Sequence, residues 1–305
     1  MRICYLVLVH HKFDQAARMI RRLAGPGCGF VLHIDRNADP ESIQRFRADL
    51  RSIDGIVYAR SVRVRWGSYA QALAIMRSIQ AAVDRPEPYD RYVLLSGQDY
   101  PIVPRRRIDQ SFCDNPQSEY IEAYPLNVMD DAPGWSPYYR FRRYHLFLGR
   151  FHRALPYAHK GPPPQAIYHG STWWALTRPA LEFIAREFKD NNRLRRYLRT
   201  SFLVDEAYVP TLLMGSPLRS RVAGHNLTHA EWTPTSGPHP KTLGMEDLPS
   251  LQSSSKLFAR KFDADVDGVV LDELDRLHTH EQKYSKGTLS LLPTEMGTPS
   301  RAGAS

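Results

Sequence analysis

Four short apolar runs, each closing on polar or acidic residues and alternating with helical patterns, constrain this chain most. Residues 3–9 (Ile3-Cys4-Tyr5-Leu6-Val7-Leu8-Val9) are apolar without interruption, as a strand covered on both faces should be. Apolar residues at Phe13, Ala17, Ile20 and Leu23 recur at helical spacing behind Asp14, a cap candidate, and Gly25-Pro26-Gly27 stops the pattern. Phe30-Val31-Leu32-His33-Ile34 predicts a second strand ending at Asp35, and Ile56-Val57-Tyr58 a third. Ser68 then caps a helix carrying Tyr69, Leu73, Met76 and Val83 on one face, and Tyr92-Val93-Leu94-Leu95 leads into Ser96-Gly97-Gln98-Asp99-Tyr100-Pro101. Such β-α-β order predicts an α/β fold whose sheet is mainly parallel. In such sheets ligands lie beyond the carboxyl ends of the strands, where Asp35, Trp66 and Asp99 fall.

The texture changes over 125–165, which is aromatic, arginine-rich and broken by prolines. It reads as a long excursion over the sheet, of the kind that often carries function. Trp173-Trp174-Ala175-Leu176 marks a return to order, with a helix from about Pro179 to Phe188. Residues 225–256 look loop-rich. The expected organisation is a catalytic domain over 1–265, a C-terminal helix within 266–285, and a disordered polar tail over 286–305.

The 305 residues can bury a full core, and 42% hydrophobic with 24% charged residues is ordinary for a globular protein. No run reaches the roughly 18 apolar residues that span a bilayer. Cys4, Cys28 and Cys113 form neither a disulfide framework nor a zinc pattern, so a reducing, cytoplasmic setting is the simplest expectation. The net charge of +9 admits nucleic acid, an anionic membrane face or a phosphorylated substrate. Aromatics interleave with arginines only in 138–145, and no nucleic-acid-binding signature accompanies them.

Three further segments could carry chemistry. Asp205-Glu206 sits in an apolar stretch, where burial would raise a carboxylate's pKa toward that of a general base; acids complementing a helix N-terminus are the plainer alternative. His169-Gly170-Ser171-Thr172-Trp173-Trp174 offers indole faces beside a small turn, or simply a turn entering a core strand. Phe258-Ala259-Arg260-Lys261-Phe262-Asp263 sets two cations between aromatic anchors. His10-His11 could be a metal or catalytic pair, or strand-end histidines. Neither Asp35 nor Asp99 belongs to an Asp-X-Asp pair able to hold a divalent cation.

Taken in order, Leu8-Val9-His10, His33-Ile34-Asp35, Trp66-Gly67-Ser68, residues 95–101, Gly170-Ser171-Thr172-Trp173, Asp205-Glu206 and 258–263 resemble a known family. It is that of the core-2/I-branching β-1,6-N-acetylglucosaminyltransferases and peptide O-xylosyltransferases. The resemblance implies a GT-A type fold, inverting transfer from a UDP-sugar to an acceptor hydroxyl, and no metal or other cofactor. By position, Glu206 matches the catalytic base. Leu8, Asp35, Arg65, Trp66, Thr172, Trp173 and Ser236 match donor-side positions, and Arg260 with Lys261 the diphosphate-binding pair. Two fixed cations would then neutralise a departing diphosphate where related enzymes place a metal. Thr172 stands where the xylosyltransferases carry an acid, which leaves N-acetylglucosamine and xylose both open as donors.

Asp99, Trp135, Arg140, Arg143 and Asp205 are assigned to the acceptor side on composition. The expected acceptor is a saccharide, glycolipid or peptide hydroxyl, in the making of surface polysaccharide or glycoconjugate, with peripheral contact to an anionic membrane and no nucleic acid. The competing reading is a non-catalytic sugar- or nucleic-acid-binding basic protein.

Overall fold

The structure, a computed structural model, describes residues 1–127, 136–148, 151–234 and 237–277. Its N-terminal half runs β1 (Ile3–Val9), α1 (Phe13–Leu23), β2 (Cys28–Ile34), α2 (Pro40–Asp49), β3 (Ile56–Tyr58), α3 (Tyr69–Val83), β4 (Arg91–Ser96), β5 (Asp99–Pro101) and α4 (Arg105–Asp114). After these come β6 (Tyr124–Pro125), α5 (Pro137–Arg142), the hairpin β7 (Arg143–Leu148) and β8 (Phe151–His159), β9 (Tyr168–His169), β10 (Ala175–Thr177), α6 (Arg178–Asp190) and α7 (Asn192–Leu198). The chain closes with α8 (Tyr208–Met214), β11 (Thr228–Ala230), α9 (Leu248–Ser253), β12 (Phe258–Arg260) and α10 (Ala264–Asp267).

The main sheet has the order β10-β4-β1-β2-β3. Strands β4, β1, β2 and β3 are parallel, and β10 joins β4 antiparallel. The α/β class with a mainly parallel sheet is therefore as expected. Both faces are covered, which the side-chain alternation of a strand makes visible. Ile3, Tyr5, Val7 and Val9 pack with α1 in one core, and Cys4 and Leu6 pack with α3, α6 and α8 in the other. Strand order reverses at β1, with β2 on one side and β4 on the other, so a crevice opens beyond the ends of β1 and β4.

Local details differ from the sequence pattern in places. Ser68 does cap α3, accepting from the Ala70 N–H, but Asp14 lies inside the first turn of α1, which begins behind Lys12 in a left-handed conformation. Within 225–256, β11 and α9 give more order than composition suggests. Residues 269–277 are helical, in line with the expected C-terminal helix, whereas the expected tail over 286–305 lies outside the described residues.

A second, three-stranded sheet, β11-β12-β5, carries the C-terminal cationic segment back to the crevice. Phe258 and Phe262 are fully buried on either side of the pair. The Phe262 carbonyl accepts from the side-chain amides of Gln15 and Gln98, so the backbone just past Lys261 is pinned to α1 and to the β4–β5 turn.

Candidate active site

Beyond the ends of β1 and β4 lies a cavity of about 1230 Å³, walled by Leu8, Asp35, Trp66, Thr172, Trp173, Asp205, Glu206, Arg140, Arg260 and Lys261. These residues come from seven separate stretches of chain. Backbone geometry explains how Asp205 and Glu206 reach it. Leu203 adopts φ 53°, a left-handed conformation that costs a side-chain-bearing residue about 1–2 kcal/mol, and its N–H donates to the Gly67 carbonyl at 2.7 Å. The turn that follows, Val204–Glu206, precedes α8, so the plainer expectation of acids near a helix start is also met.

The two carboxylates have different surroundings. Asp205 is 4% exposed and accepts from the Gln71 amide at 3.1 Å and the Thr172 hydroxyl at 2.8 Å. Its other oxygen is buried and unpartnered. Burial, and next the neighbouring Glu206, push its pKa up to about 7. Asp205 was expected on the acceptor side, yet its bonds tie α3 to the 170–174 loop. It is a cross-brace in the cavity wall.

Glu206 keeps about 31% of its side chain exposed and accepts from Arg140 at 2.5 Å. Burial raises its pKa, and the Arg140 guanidinium opposes the rise. A carboxylate that faces a cavity, is partly desolvated and is oriented by one arginine has the surroundings of a general base. Its own carbonyl accepts from the Gly170 N–H at 2.9 Å, fixing the 170–174 loop beside it.

That loop joins the two halves of the site. The Thr172 hydroxyl points inward to Asp205, while the ring of Trp173 carries the Arg260 guanidinium 4.2 Å from its centroid. Arg260 also donates through Nε to Asp99 at 3.1 Å, in register across the β12–β5 pair. Lys261 follows through a cis peptide and lines the same cavity. Burial, then repulsion from Arg260, lowers its pKa. Two cations held together at a cavity wall form a site that favours an anion.

Not every expected residue reaches the cavity. Asp99, placed on the acceptor side from sequence, is 0% exposed. Its carboxylate is taken up by the Ser96 N–H at 2.7 Å, the Ser96 hydroxyl at 2.9 Å and Arg260, so it positions Arg260 from beneath and does not meet an acceptor. Burial raises its pKa against the pull of Arg260. Arg65 is exposed outside the lining, and its carbonyl accepts from the Ser68 hydroxyl as part of the α3 cap. Arg143 lies over the Tyr139 ring, also outside the lining. Trp135 and Ser236 lie outside the described residues. Asp35 does reach the cavity, accepting from the Asn37 and Val64 N–H groups, and Trp66 meets the rings of Phe202 and His239 edge-on.

Some lining residues were invisible to motif reasoning. Glu122 accepts from the Ser171 N–H at 3.1 Å and the Asn226 amide at 2.8 Å, bracing the same loop from its other side. Asn226, the first residue of a glycosylation sequon, is 7% exposed and committed to that bond. His10 and His11, which the sequence did single out, line the cavity with ring centroids 3.9 Å apart, and burial lowers both pKa values, His11 to about 4. They enter as neutral rings beside the cationic pair. No helix among the described residues is long and apolar enough to cross a membrane.

Comparison with known proteins identifies the family. The family model described as Core-2/I-Branching enzyme matches residues 3–252, a span that closes before Arg260 and Lys261. A β-glucuronosyltransferase of Arabidopsis thaliana is 25% identical over 281 residues, covering 85% of this chain and 68% of the relative. The N-acetyllactosaminide β-1,6-N-acetylglucosaminyl-transferase of Mus musculus is 23% identical, covering 96% and 76%. Among solved structures, mouse xyloside xylosyltransferase 1 superposes with a TM-score of 0.40 at 12% identity, covering 84% of this chain and 97% of that one. The chain belongs to the Core-2/I-branching enzyme family, a family of glycosyltransferases.

Proposed function

We propose that the protein transfers a sugar from a UDP-sugar to an acceptor hydroxyl in one inverting displacement, without a metal ion. The observation that carries this reading is the shared cavity. A cavity-facing carboxylate, Glu206, and a cationic pair, Arg260 and Lys261, line the same space and are joined through the 170–174 loop.

In this reading the nucleotide lies across the strand ends between Leu8, Asp35 and Trp66, with its diphosphate on Arg260 and Lys261. Glu206 takes the proton of the acceptor hydroxyl as that oxygen attacks the anomeric carbon from the face opposite UDP. The bond from the anomeric carbon to the diphosphate oxygen breaks, and UDP leaves with the bonding pair. Negative charge grows on the departing phosphate during this step, so the cations act most strongly in the transition state and raise turnover more than ground-state affinity. Arg140 orients Glu206 and limits how far burial raises its pKa.

N-acetylglucosamine, xylose and, from the plant relative, glucuronic acid are the donors to compare, and a saccharide hydroxyl on a glycoconjugate is the proposed acceptor. Thermal-shift screening against a UDP-sugar panel, followed by transfer assays with the stabilising donor, tests the reading. Glu206→Gln should remove transfer by at least about a thousandfold and leave UDP affinity within about twofold. Substantial residual transfer would take Glu206 out of the base role.

A further inference from the structure

The β7–β8 hairpin leaves an apolar face exposed. Pairing puts Leu148 opposite Phe151 and Leu146 opposite Arg153, so these four side chains share one face. Leu148 is 70% exposed and Phe151 81%, with Leu146 at 43% beside them. The opposite face packs on the protein through its aromatic rings. His145, Phe147 and His152 stack on one another and on Phe202, with His152 4.3 Å from the Phe202 ring centroid. Phe202 in turn meets Trp66 in the cavity wall, so ring contacts link the hairpin to the active-site rim.

The charge pattern says what this face meets. Within residues 143–159 the sequence holds no aspartate or glutamate, and its charged residues are Arg143, Arg150 and Arg153, of which Arg153 stands exposed on the apolar face itself. A protein partner would need a complementary acidic apolar groove. A bilayer with anionic headgroups supplies both features at once, taking apolar side chains at the acyl boundary and arginines at the phosphates.

We infer that the β7–β8 hairpin docks the protein on an anionic lipid bilayer, inserting Leu148 and Phe151 with Arg153 at the headgroups, and so holds the cavity rim near the membrane surface. Exposed aliphatic and aromatic residues at the tip of a basic hairpin give a reversible anchor, with both contributions needed.

Flotation of the full chain with vesicles tests this, using phosphatidylcholine alone or with about a third phosphatidylglycerol. The protein should float with the anionic vesicles at low salt and be released severalfold as salt rises. Leu148→Ser with Phe151→Ser should weaken partition about tenfold or more, and Arg153→Glu about fivefold or more. Both variants should keep the thermal shift that UDP gives the parent, which shows that they are folded. A Phe151→Trp variant should show quenching by bromine-labelled lipid. Absence of flotation with anionic vesicles at low salt overturns the inference, as does a double-serine variant that floats like the parent. A dimer in sedimentation that the double-serine change dissociates, without vesicle binding, also overturns it and makes the face a contact between copies.

Discussion

Replacing Lys261 with methionine separates what this side chain costs the folded protein from what it contributes to the reaction. Its backbone is held independently of its side chain. The Leu243 N–H donates to the Lys261 carbonyl at 2.8 Å, and the next residue, Phe262, is fully buried with its carbonyl on two glutamines. The ammonium itself sits in a partly desolvated wall next to Arg260, and both effects lower its pKa. A lysine whose pKa falls on folding carries a cost that is fully present below the folded pKa and disappears only above the unfolded value near 10.5. That cost applies wherever the ammonium stays protonated in the folded protein. Allowing for solvent screening at a cavity mouth, we expect methionine to stabilise the ligand-free protein by about 0.5–1 kcal/mol, or roughly 1–3 °C in Tm. The same change should remove much of the stabilisation by saturating UDP, which for an intact site is about 2.7 kcal/mol at a hundred times Kd. It should also lower kcat by about a hundredfold or more. Differential scanning fluorimetry with and without UDP, together with steady-state transfer, reads all three. A variant that is less stable without ligand, or that keeps both its UDP shift and its turnover, refutes the reasoning.

Other outcomes follow from the same geometry. Asp205 carries a pKa pushed up to about 7 in the folded state, so the native protein binds more protons than the unfolded chain between about pH 4 and 7. Its carboxylate therefore costs stability above that window, and Asp205→Asn should raise stability at pH 8 relative to wild type and lose the advantage by pH 4, as urea melts at the two pH values would show. Arg140→Met removes the group that holds the Glu206 pKa down, so the acid limb of the pH–kcat profile should move to higher pH; an unmoved limb would separate Arg140 from Glu206. At Gly67 the backbone has φ 73°, and an added Cβ would lie 2.2 Å from the Phe202 ring. Gly67→Ala should cost about 2–4 kcal/mol in denaturant unfolding and reduce transfer, because Leu203 hydrogen-bonds to this residue's carbonyl.

What was legible in the sequence is what local periodicity can encode. The runs at 3–9, 30–34 and 92–95 became buried parallel strands because continuous apolar stretches have no solvent face to offer, 56–58 joined them at the sheet edge, and the Ser68 cap was visible as a hydroxyl before a helical pattern. Long-range register was not visible. Nothing in Ala175-Leu176-Thr177 says that it pairs antiparallel with β4, and nothing in Phe258-Ala259-Arg260 says that it returns beside Asp99. That pairing turns Asp99 from an apparent acceptor-side group into the buried partner of Arg260. Glu122 was missed for a similar reason. It carries no motif, and only the approach of the Ser171 N–H and the Asn226 amide gives it a part in the site. Asp14 misled because the left-handed Lys12 starts α1 two residues earlier than a cap at Asp14 would.

The transfer rate of metal-stripped protein in excess EDTA, compared with the rate after adding manganese, bears most directly on the claim that Arg260 and Lys261 neutralise the leaving diphosphate. The account predicts the same kcat in both within about twofold, and a collapse of activity in EDTA that manganese restores would contradict it.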